Sequence, residues 1–474
     1  EGIVDHPVNR GGLTARAQAH VLSLYDPDRL QAPKKNIHNE KRSNRDTVSI
    51  SWDQVDQLVS GKLKDGKVAV LTSTLASPST DELIARFCTA FGGQRYLWDS
   101  LGAGDVLAAN QISYGKAVLP RYDFSNANLV VSIGADFLGT YLSPAEFTKQ
   151  WAANRNPNEK MNRLVAFESM MSLTGANADE RILIRPSQQL DVVTALIKEI
   201  ATTHEPRYSE AAKKLAISSE FNKEQYGIDA LASELWEKRG RSLVIAGGIN
   251  TRTERAVDLQ IAVNFLNSIL GNDGKTIQYD NSPSLTLQGS DSDLAGLVEE
   301  MNAGKIGTLL LYKVNPAYFS SVELQFTEAL KKVKLVIYAG DLDETGLLSD
   351  LVLPTHHELE NWGDAEFQSG VFSIQQPTIR PLYDSRSFQE MLMNWMKAAG
   401  KSAGAETWYE YVRSYWERKI LGSVSFDEKW DKALQDGFVA KGAAHGKTSQ
   451  GRSFQNAALG RVRNDIAKVE KELV

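Results

Sequence analysis

Cysteine is almost absent from this sequence, which contains Cys88 alone among 474 residues. A single thiol excludes an internal disulfide, and no set of cysteines is present at the spacing that binds an iron-sulfur cluster or structural zinc. Apolar residues recur around Cys88 at helical spacing, namely Leu83, Ile84, Phe87 and Phe91. This pattern predicts that Cys88 is a buried, unreactive residue of an amphipathic helix.

Long apolar runs and a strong charge imbalance are also missing. The longest apolar runs, such as 308–312 and 129–133, are far shorter than the roughly 20 residues that a membrane-spanning helix needs. The net charge of -6 gives no overall field that attracts nucleic acid or an anionic membrane. We therefore predict a soluble protein of two or three cores that has no nucleic-acid partner and reaches a membrane only through other subunits.

Seven short runs rich in Val, Ile and Leu lie between about residues 50 and 400, and longer amphipathic stretches separate them. The runs lack apolar-polar alternation, as is typical of strands buried on both faces of a parallel sheet. Strands that alternate with helices predict right-handed β-α-β units and a doubly wound α/β fold. The predicted strands are 67–73, 129–135, 163–169, 181–186, 242–248, 308–314 and 334–340.

Two regions fall outside this pattern. Residues 31–47 are polar and contain five Lys or Arg residues, which favours a solvated loop over a dedicated anion site. After residue 400 an aromatic, helix-like segment (408–416) precedes a linker-like stretch (442–453). An apolar stripe then follows at three- and four-residue intervals: Leu459, Val462, Ile466, Val469 and Leu473. The stripe predicts an amphipathic helix that packs either on its own domain or on a partner subunit.

Two turns at the ends of predicted strands are candidate ligand sites. Gly247 and Gly248 lie between a strand and a helix and suit a phosphate cradle, but the GxGxxG spacing is absent, which favours a structural turn. Asp341, Asp343 and Glu344 follow another buried strand. Their carboxylates suit either the edge of a purine or pterin or the cap of the next helix.

The sequence His356, His357, Glu358 and Glu360 resembles a metal-binding segment at first sight. In an extended chain the first, third and fifth side chains of 356–360 share one face, but no further histidine or cysteine lies at a supporting spacing. No Ser-His-Asp order or paired catalytic carboxylates can be identified either. We therefore assign neither catalytic nor metal-binding residues.

The N-terminal segment HPVNRGGLTARAQAHVLSLYDPDRL (6–30), followed by Trp52, resembles molybdopterin oxidoreductases of the dimethyl-sulfoxide-reductase type. Further matches in the same order are NANLVVSIGAD (126–136), VNP (314–316) and DLDETGLLSDLVLPT (341–355). The resemblance implies two doubly wound, mainly parallel lobes with an extended N-terminal segment and a helical C-terminal tail. The expected boundaries are 1–48 for the N-terminal segment, 49–125 plus 341–400 for the first lobe, 126–340 for the second, inserted lobe, and 401–474 for the tail.

The departures from that family concern its cofactor ligands. The cysteine that would ligate an iron-sulfur cluster is Thr14, and the Arg-Gly pair that follows it is Arg16-Ala17. The molybdenum ligand of the family falls close to Asp105, and an aspartate does ligate molybdenum in some members. No counterpart of the C-terminal pterin-binding domain follows residue 400. The expected remnants of the pterin pocket are Asp105, Gly247, Gly248 and Asp341.

In these losses the sequence resembles the molybdopterin-like part of the large peripheral subunit of alternative complex III, a bacterial respiratory assembly. The segments that carry the same resemblance are 168–186, 356–366 and 406–417. The resemblance implies a periplasmic position on the inner membrane, held by partner subunits. The implied partners are a ferredoxin-like iron-sulfur module, a multihaem cytochrome c subunit, quinol-binding membrane subunits and, in some assemblies, a terminal oxidase. Iron-sulfur clusters and haem c would belong to those partners, and this chain would hold no cofactor.

Three functions therefore remain as hypotheses. The preferred one is a cofactor-free scaffold of a quinol-oxidising electron-transfer complex that is not itself catalytic. The second is an active molybdopterin-dependent subunit that binds its cofactor through Gly247, Gly248, Asp341 and Asp105. The third is an ion-binding or small-molecule module built on 356–360 and on the cleft expected of two α/β lobes.

Overall fold

The computed structural model describes residues 2–37, 46–279, 283, 289–441 and 452–462. The chain forms two compact units, and each unit is built from separate stretches of sequence. Unit 1 consists of Glu1–Gln18, Ala103–Thr286 and Gly442–Val474, and unit 2 consists of Ala19–Gly102 and Leu287–Lys441. Among the described residues, no helix has both the length and the apolar character that crossing a bilayer requires.

Unit 2 is organised around a seven-stranded sheet whose five parallel strands are followed by two antiparallel strands at one edge. In spatial order the strands are Gln94–Leu97, Lys67–Thr72, Ile306–Tyr312, Leu335–Ala339, Leu351–Leu353, Lys34–Asn36 and Thr47–Ser49. The five parallel strands have the chain order 2-1-3-4-5, which is a doubly wound arrangement. Ligands of such sheets bind at the carboxyl ends of the strands where the order reverses, here between Lys67–Thr72 and Ile306–Tyr312.

The helices of unit 2 cover both faces of this sheet, and a small second sheet completes the unit. The helices are Trp52–Lys62, Pro78–Phe91, Asp291–Asn302, Pro316–Phe319, Phe326–Leu330, Glu344–Leu348, Phe388–Ala398, Trp408–Tyr415 and Phe426–Asp436, with the 3₁₀ turns His20–Tyr25, Val322–Leu324 and Glu358–Glu360 and the π-helical turn Trp416–Leu421. The small antiparallel sheet comprises Gly363–Gln368, Val371–Gln375 and Phe438–Ala440. The predicted aromatic segment is thus confirmed as a helix, and its Trp408 and Trp416 are fully buried in the core of unit 2.

Local sequence explains the helix that contains Cys88. Ser77 caps Pro78–Phe91 by accepting the Thr80 N-H over 3.1 Å, and Gly92 ends the helix in a left-handed conformation with φ of 60°. Cys88 is buried as predicted. Burial raises the pKa of its thiol to about 11, although Arg95 acts in the opposite direction.

Unit 1 contains a four-stranded, fully parallel sheet in the spatial order Glu180–Leu183, Arg163–Glu168, Leu129–Ile133, Ser242–Ala246. Its chain order is 3-2-1-4, so the order reverses between Leu129–Ile133 and Ser242–Ala246. Both of these strands are buried along their whole length, whereas the edge strand Glu180–Leu183 is mostly exposed.

Helices surround this sheet, and unit 1 also contains two small antiparallel pairs of two-residue strands. The helices of unit 1 are Gly104–Tyr114, Pro144–Ala152, Leu173–Ala176, Gln189–Thr203, Ser209–Ala212, Ile228–Glu237 and Ala256–Ile269, with the 3₁₀ turns Phe124–Asn126, Pro186–Gln188, Pro206–Tyr208, Ile249–Thr251 and Asn456–Arg461. The paired short strands are Arg121–Tyr122 with Ile277–Gln278 and Arg155–Asn156 with Lys160–Met161. The helix Ala15–Ala19 lies where the chain passes from unit 1 to unit 2.

The C-terminal stripe docks on unit 1 where the structure describes it. Leu459 and Val462 are buried in the same core as the helix Ala256–Ile269, and Phe454 packs on that core beside Phe265. This supports the hypothesis that the stripe packs on its own domain. The remaining stripe positions 466, 469 and 473 and the linker 442–451 lie outside the described residues.

The structure confirms the predicted α/β class, its mainly parallel sheets and a strand in each of the seven predicted runs. The prediction that all seven are buried on both faces is wrong for 181–186, because Glu180–Leu183 is an edge strand and mostly exposed.

Its division of the chain differs from the expected boundaries at four places. The expected N-terminal segment 1–48 is divided, because it passes from unit 1 to unit 2 between Gln18 and Ala19. Ile306–Tyr312 pairs with Lys67–Thr72, so residues 287–340 belong to unit 2 and not to the inserted lobe. Residues 103–125 belong to unit 1, and the tail is shared, because 401–441 folds into unit 2 and 452–462 into unit 1. Part of the predicted loop 31–47 forms edge strands, and its residues 38–45 lie outside the described range.

Candidate functional site

The carboxyl edge of the unit 2 sheet brings together charged side chains at the point where the strand order reverses. Lys313 directly follows Ile306–Tyr312 and has a left-handed backbone with φ of 55°, which is strained for a residue with a side chain. Its Nζ donates to Glu358 Oε1 over 3.1 Å. Glu358 begins the 3₁₀ turn Glu358–Glu360, which follows the last parallel strand.

Two histidines and a serine complete this cluster. The rings of His20 and His357 are stacked with centroids 4.5 Å apart. Ser23 Oγ lies 2.9 Å from His357 Nε2 and 3.3 Å from His20 Nδ1, and His20 Nε2 lies 3.2 Å from Glu358 Oε2. We call His20, Ser23, His357 and Glu358 the histidine cluster. It connects the segment 19–30 to the sheet edge of unit 2.

The electrostatics of the histidine cluster favour an ionised Glu358 and a neutral His357. Burial would raise the pKa of Glu358, but the Lys313 ammonium, a backbone N-H and His20 outweigh it and hold this pKa at about 2. Burial lowers the pKa of His357, and the positive charges of His20 and Arg29 act in the same direction, against the carboxylates of Glu358 and Glu360.

A metal ion is a poor fit for this cluster, although ligand atoms of His20, His357 and Glu358 lie within 4.8 Å of one another. The Leu359 N-H donates to His357 Nδ1 over 3.1 Å, so the proton of the neutral ring is on Nε2, which faces Ser23. A histidine that binds a metal through one nitrogen donates from the other, and here the other nitrogen is an acceptor. The Lys313 ammonium also occupies the carboxylate that would be the third ligand.

The predicted grouping of His356, Glu358 and Glu360 on one face is wrong, because the chain turns into a 3₁₀ helix at these residues. His356 Nδ1 pairs with Ser385 Oγ over 2.8 Å, away from Glu358. Glu360 instead pairs with Arg29. The sequence also gave no sign that His20 contributes, because 338 residues separate it from Glu358.

The carboxylates of GDLDET serve contacts within unit 2. Asp343 caps the helix Glu344–Leu348 by accepting the Gly346 N-H over 2.8 Å, as the capping hypothesis predicts. Asp341 accepts the Leu30 N-H over 3.1 Å. Glu344 accepts from the Asn315 amide over 2.8 Å. Each carboxylate that was a candidate for a purine or pterin edge therefore has a partner in the protein.

The carboxyl edge of the unit 1 sheet contains the predicted glycine turn. Gly247 follows Ser242–Ala246 with φ of 144°, and a Cβ placed on it would lie 2.3 Å from the Tyr141 ring. The Tyr141 hydroxyl donates to Ala246 O over 3.0 Å, and the Tyr141 side chain is buried. The Tyr141 side chain thus occupies the space that the absence of a side chain at Gly247 leaves open.

No long helix begins directly after the turn. The 3₁₀ turn Ile249–Thr251 follows Gly248, and the helix Ala256–Ile269 begins only after Arg255. The free N-H groups of that helix therefore do not adjoin the glycines, contrary to the phosphate-cradle hypothesis.

Asp105 lies in the same part of unit 1, in the first turn of Gly104–Tyr114. Burial raises its pKa, and backbone N-H groups and Arg252 partly oppose this effect. Its charge acts on both Tyr122 and Tyr141. The structure therefore brings Asp105 and the glycine turn into one neighbourhood through Tyr141, whereas Asp341 belongs to unit 2.

Comparison with known proteins places these sites in a family. A family model described as molybdopterin oxidoreductase matches residues 29–397. The chain is 26% identical over 491 residues to the menaquinone reductase, molybdopterin-binding-like subunit of Nitratidesulfovibrio vulgaris, which covers 96% of this chain and 66% of that protein. It is 22% identical over 510 residues to the arsenate respiratory reductase molybdopterin-containing subunit of a Shewanella species, and this match covers 87% of the chain and 59% of the Shewanella protein. The chain thus spans less than two thirds of the length of these relatives.

A solved structure shows the same fold. Acetylene hydratase from Pelobacter acetylenicus superimposes with a TM-score of 0.70 at 12% sequence identity. The match covers 92% of this chain and 70% of the hydratase chain. At this identity the similarity concerns the fold and not the activity.

Proposed function

Because this chain belongs to the molybdopterin oxidoreductase family, we propose that it is a cofactor-free member that acts as a scaffold. In this proposal it is a subunit of a bacterial respiratory quinol-oxidising complex of the alternative complex III type. It binds the electron-carrying subunits and performs no catalysis of its own.

The observation that supports this proposal most is the position of Tyr141. Its ring lies against Gly247, at the edge of the unit 1 sheet where a dinucleotide cofactor of this fold would approach the backbone. Its hydroxyl also bonds the carbonyl of Ala246. A pterin dinucleotide at this turn would have to displace a buried aromatic ring and its hydrogen bond, so the residues here do not fit the group.

The ligand inventory agrees with this proposal. An iron-sulfur cluster needs several thiolates, and the sequence has only Cys88, which is buried in a helix with its pKa raised to about 11. Asp105, the carboxyl at the expected molybdenum position, is largely buried, and burial raises its pKa.

The partners follow from the proposed role. We expect a ferredoxin-like iron-sulfur module, a multihaem cytochrome c subunit and quinol-binding membrane subunits, with a terminal oxidase in some assemblies. The chain would be peripheral on the periplasmic side of the inner membrane. Similarity to a subunit of a menaquinone reductase supports a respiratory quinone complex.

The test uses the complete complex with a tag on this chain. Asp105→Ala removes the metal-ligand candidate that the sequence resemblance gives for unit 1, and exposed Asp5→Ala is the matched control. The scaffold proposal predicts unchanged quinol oxidation and unchanged subunit composition in both variants. Loss of quinol oxidation in Asp105→Ala with a fully assembled complex would show that this chain binds a working cofactor.

A further inference from the structure

The short helix Pro316–Phe319 of unit 2 and the turn after it present large apolar side chains to solvent. Tyr318 and Phe319 are exposed by 63% and 56%, and Val322 is exposed by 87%. The two rings stand edge to face, with centroids 4.7 Å apart. Single exposed apolar residues are ordinary, whereas a contiguous group of them on a folded protein is typical of a contact surface. We call Tyr318, Phe319 and Val322 the aromatic patch.

The helix that carries the aromatic patch is held firmly at its base. Pro316 is buried, and the Ala317 N-H donates to Thr345 Oγ1 over 3.1 Å. The Thr345 hydroxyl donates to Asn315 Oδ1 over 2.6 Å, and the Asn315 amide donates to Glu344 over 2.8 Å. The fold itself therefore places the two rings in solvent. A surface that is fixed in advance loses little conformational freedom when it binds a partner.

Two carboxylates adjoin the aromatic patch. Glu323 directly follows it in the turn, and Glu344 lies at the base of the helix. Hydrogen bonds from the Ser321 hydroxyl and the Asn315 amide lower the pKa of Glu323 and of Glu344, respectively, and a backbone N-H adds to the effect in each case. Both groups are therefore negatively charged at neutral pH.

The sequence around the aromatic patch supplies no positive charge to offset these carboxylates. The segments 314–330 and 335–355 contain no Lys or Arg, and Lys313, which precedes them, donates to Glu358. Such a patch repels an anionic membrane surface. It also disfavours a second copy of this chain, because a symmetric contact sets the same carboxylates against each other. A protein surface with Lys or Arg around an apolar centre is complementary to it.

We infer that the aromatic patch is a contact surface for a partner protein whose apolar side chains are flanked by Lys or Arg. Tyr318 and Phe319 are the apolar anchors, and the adjoining carboxylates pair with the cations of the partner. This inference rests on the proposed role of the chain as a subunit of a larger complex. It gives that role a surface and the chemistry of the partner that the surface binds.

Photo-crosslinking in the complete complex tests the contact directly. The tagged chain carries p-benzoylphenylalanine in place of Tyr318, is purified with its subunits and is irradiated. We expect a crosslink to a different protein of the complex, at a segment in which Lys or Arg flanks apolar residues. A crosslink to a second copy of this chain or to another part of the same chain would overturn the inference. Absence of any crosslink in the assembled complex would do the same.

Two variants separate the apolar centre from the charges. Tyr318→Ser/Phe319→Ser should lower the amount of the crosslinked partner that co-purifies by about tenfold or more, because anchor residues contribute most of the binding energy of an interface. Glu323→Lys should lower it several-fold at low salt, and the difference from wild type should shrink at high salt, which screens the charges. Glu237→Lys reverses an exposed charge of unit 1 and is the control, with no expected change.

The substituted side chains are all exposed, so urea unfolding of the full chain should be the same in the variants and the wild type. Unchanged unfolding shows that loss of the partner is not loss of the fold. Full retention of the partner in every variant would overturn the inference and leave the scaffold proposal intact. Molybdenum and pterin in a fixed ratio to the chain would overturn the scaffold proposal and leave the contact surface intact. A wild-type chain that purifies without any other protein would overturn both.

Discussion

Arg29 and Glu360, which lie 331 residues apart in the sequence, form a two-pronged ion pair in the interior of unit 2. The Arg29 side chain is 9% exposed and that of Glu360 is fully buried. The backbone N-H groups of His357 and Leu382 also donate to Glu360, over 2.8 and 2.9 Å. The pair thus fixes the N-terminal segment against the turn that contains Glu358.

We predict that Arg29→Ala destabilises unit 2 by about 3–5 kcal/mol, because it leaves a buried carboxylate without its counter-ion. Urea unfolding followed by tryptophan fluorescence measures this change. Lys62→Ala is the control, since Lys62 pairs with Asp65 on the surface and should contribute less than about 1 kcal/mol. Equal effects of the two substitutions would contradict the buried-pair interpretation.

The same pair predicts an acid-sensitive unit 2. Burial would raise the pKa of Glu360, but Arg29 and the two backbone N-H groups hold it below its usual value. A lowered pKa in the folded state stabilises the fold above the ordinary carboxyl pKa, and this stabilisation is lost as the pH falls through the folded value. The stability of the wild type relative to Arg29→Met/Glu360→Met should therefore fall as the pH is lowered from about 5 to about 2.

The contact between Gly247 and Tyr141 predicts that one methyl group added at Gly247 strongly lowers the stability of unit 1. Gly247→Ala should destabilise unit 1 by more than about 2 kcal/mol, because the backbone is strained and the new Cβ overlaps the ring. Gly271→Ala is the comparison: Gly271 also has a positive φ, of 62° in the left-handed helical region, and a Cβ there meets no atom within 4 Å, so this substitution should cost about 1 kcal/mol.

A double mutant separates backbone strain from overlap. In Gly247→Ala/Tyr141→Ala the overlap is gone, so the loss of stability should be smaller than the sum of the two single losses by at least about 1 kcal/mol. Thermal and urea unfolding give the three values. Simple additivity would mean that Tyr141 does not fill the space above Gly247.

A buried carboxyl group in unit 1 predicts stability that falls as the pH rises. Burial raises the pKa of Asp273 to about 7, although the Tyr114 hydroxyl, 3.4 Å from both oxygens, and Arg452 oppose this. Because the folded pKa lies above the unfolded one, the stabilising contribution is present below about pH 4 and lost as the pH rises through about 7. The free energy of unfolding of Asp273→Asn relative to wild type should thus increase by roughly 2–4 kcal/mol between about pH 4 and pH 8.

Unfolding curves across this pH range provide the comparison. Exposed Asp5→Asn should run parallel to wild type at every pH. If Asp273→Asn also ran parallel to wild type, the carboxyl group would be ionised in the folded protein throughout.

We predict that the Cys88 thiol is unreactive until the protein unfolds. With a pKa of about 11 and a buried position, it should not react with iodoacetamide at about pH 8 in the native state. One equivalent should react after denaturation, because the sequence has no other cysteine. Rapid modification of the native protein would mean that the helix Pro78–Phe91 opens.

The sequence was sufficient for the elements whose signal is local. The run 129–135 is apolar apart from Ser132 and shows no apolar-polar alternation, so it can be identified as a strand that is buried on both faces. Gln94–Leu97 and Leu351–Leu353 gave no comparable signal, because they are short and the first is partly exposed. The placement of 287–340 in unit 2 depends on the pairing of Ile306 with Lys67, which no local pattern contains.

The candidate sites show the same limit. The glycine turn and the carboxylates after residue 340 could be found because they follow recognisable strands. The contact of Tyr141 with Gly247 and of His20 with Glu358 could not, since each joins residues more than 100 positions apart and leaves no spacing rule. The sequence therefore indicates the place in the fold where ligands bind, but not which side chain occupies that place.

The most direct test of the scaffold proposal is the cofactor content of the full chain, purified from its own assembled complex under conditions that retain molybdopterin in active relatives. Molybdenum is measured by mass spectrometry, and released pterin by fluorescence after oxidation. We predict that neither is present in a fixed ratio to this chain. One molybdenum atom and its pterin for each copy of the chain would contradict the proposal and restore a catalytic role for Asp105.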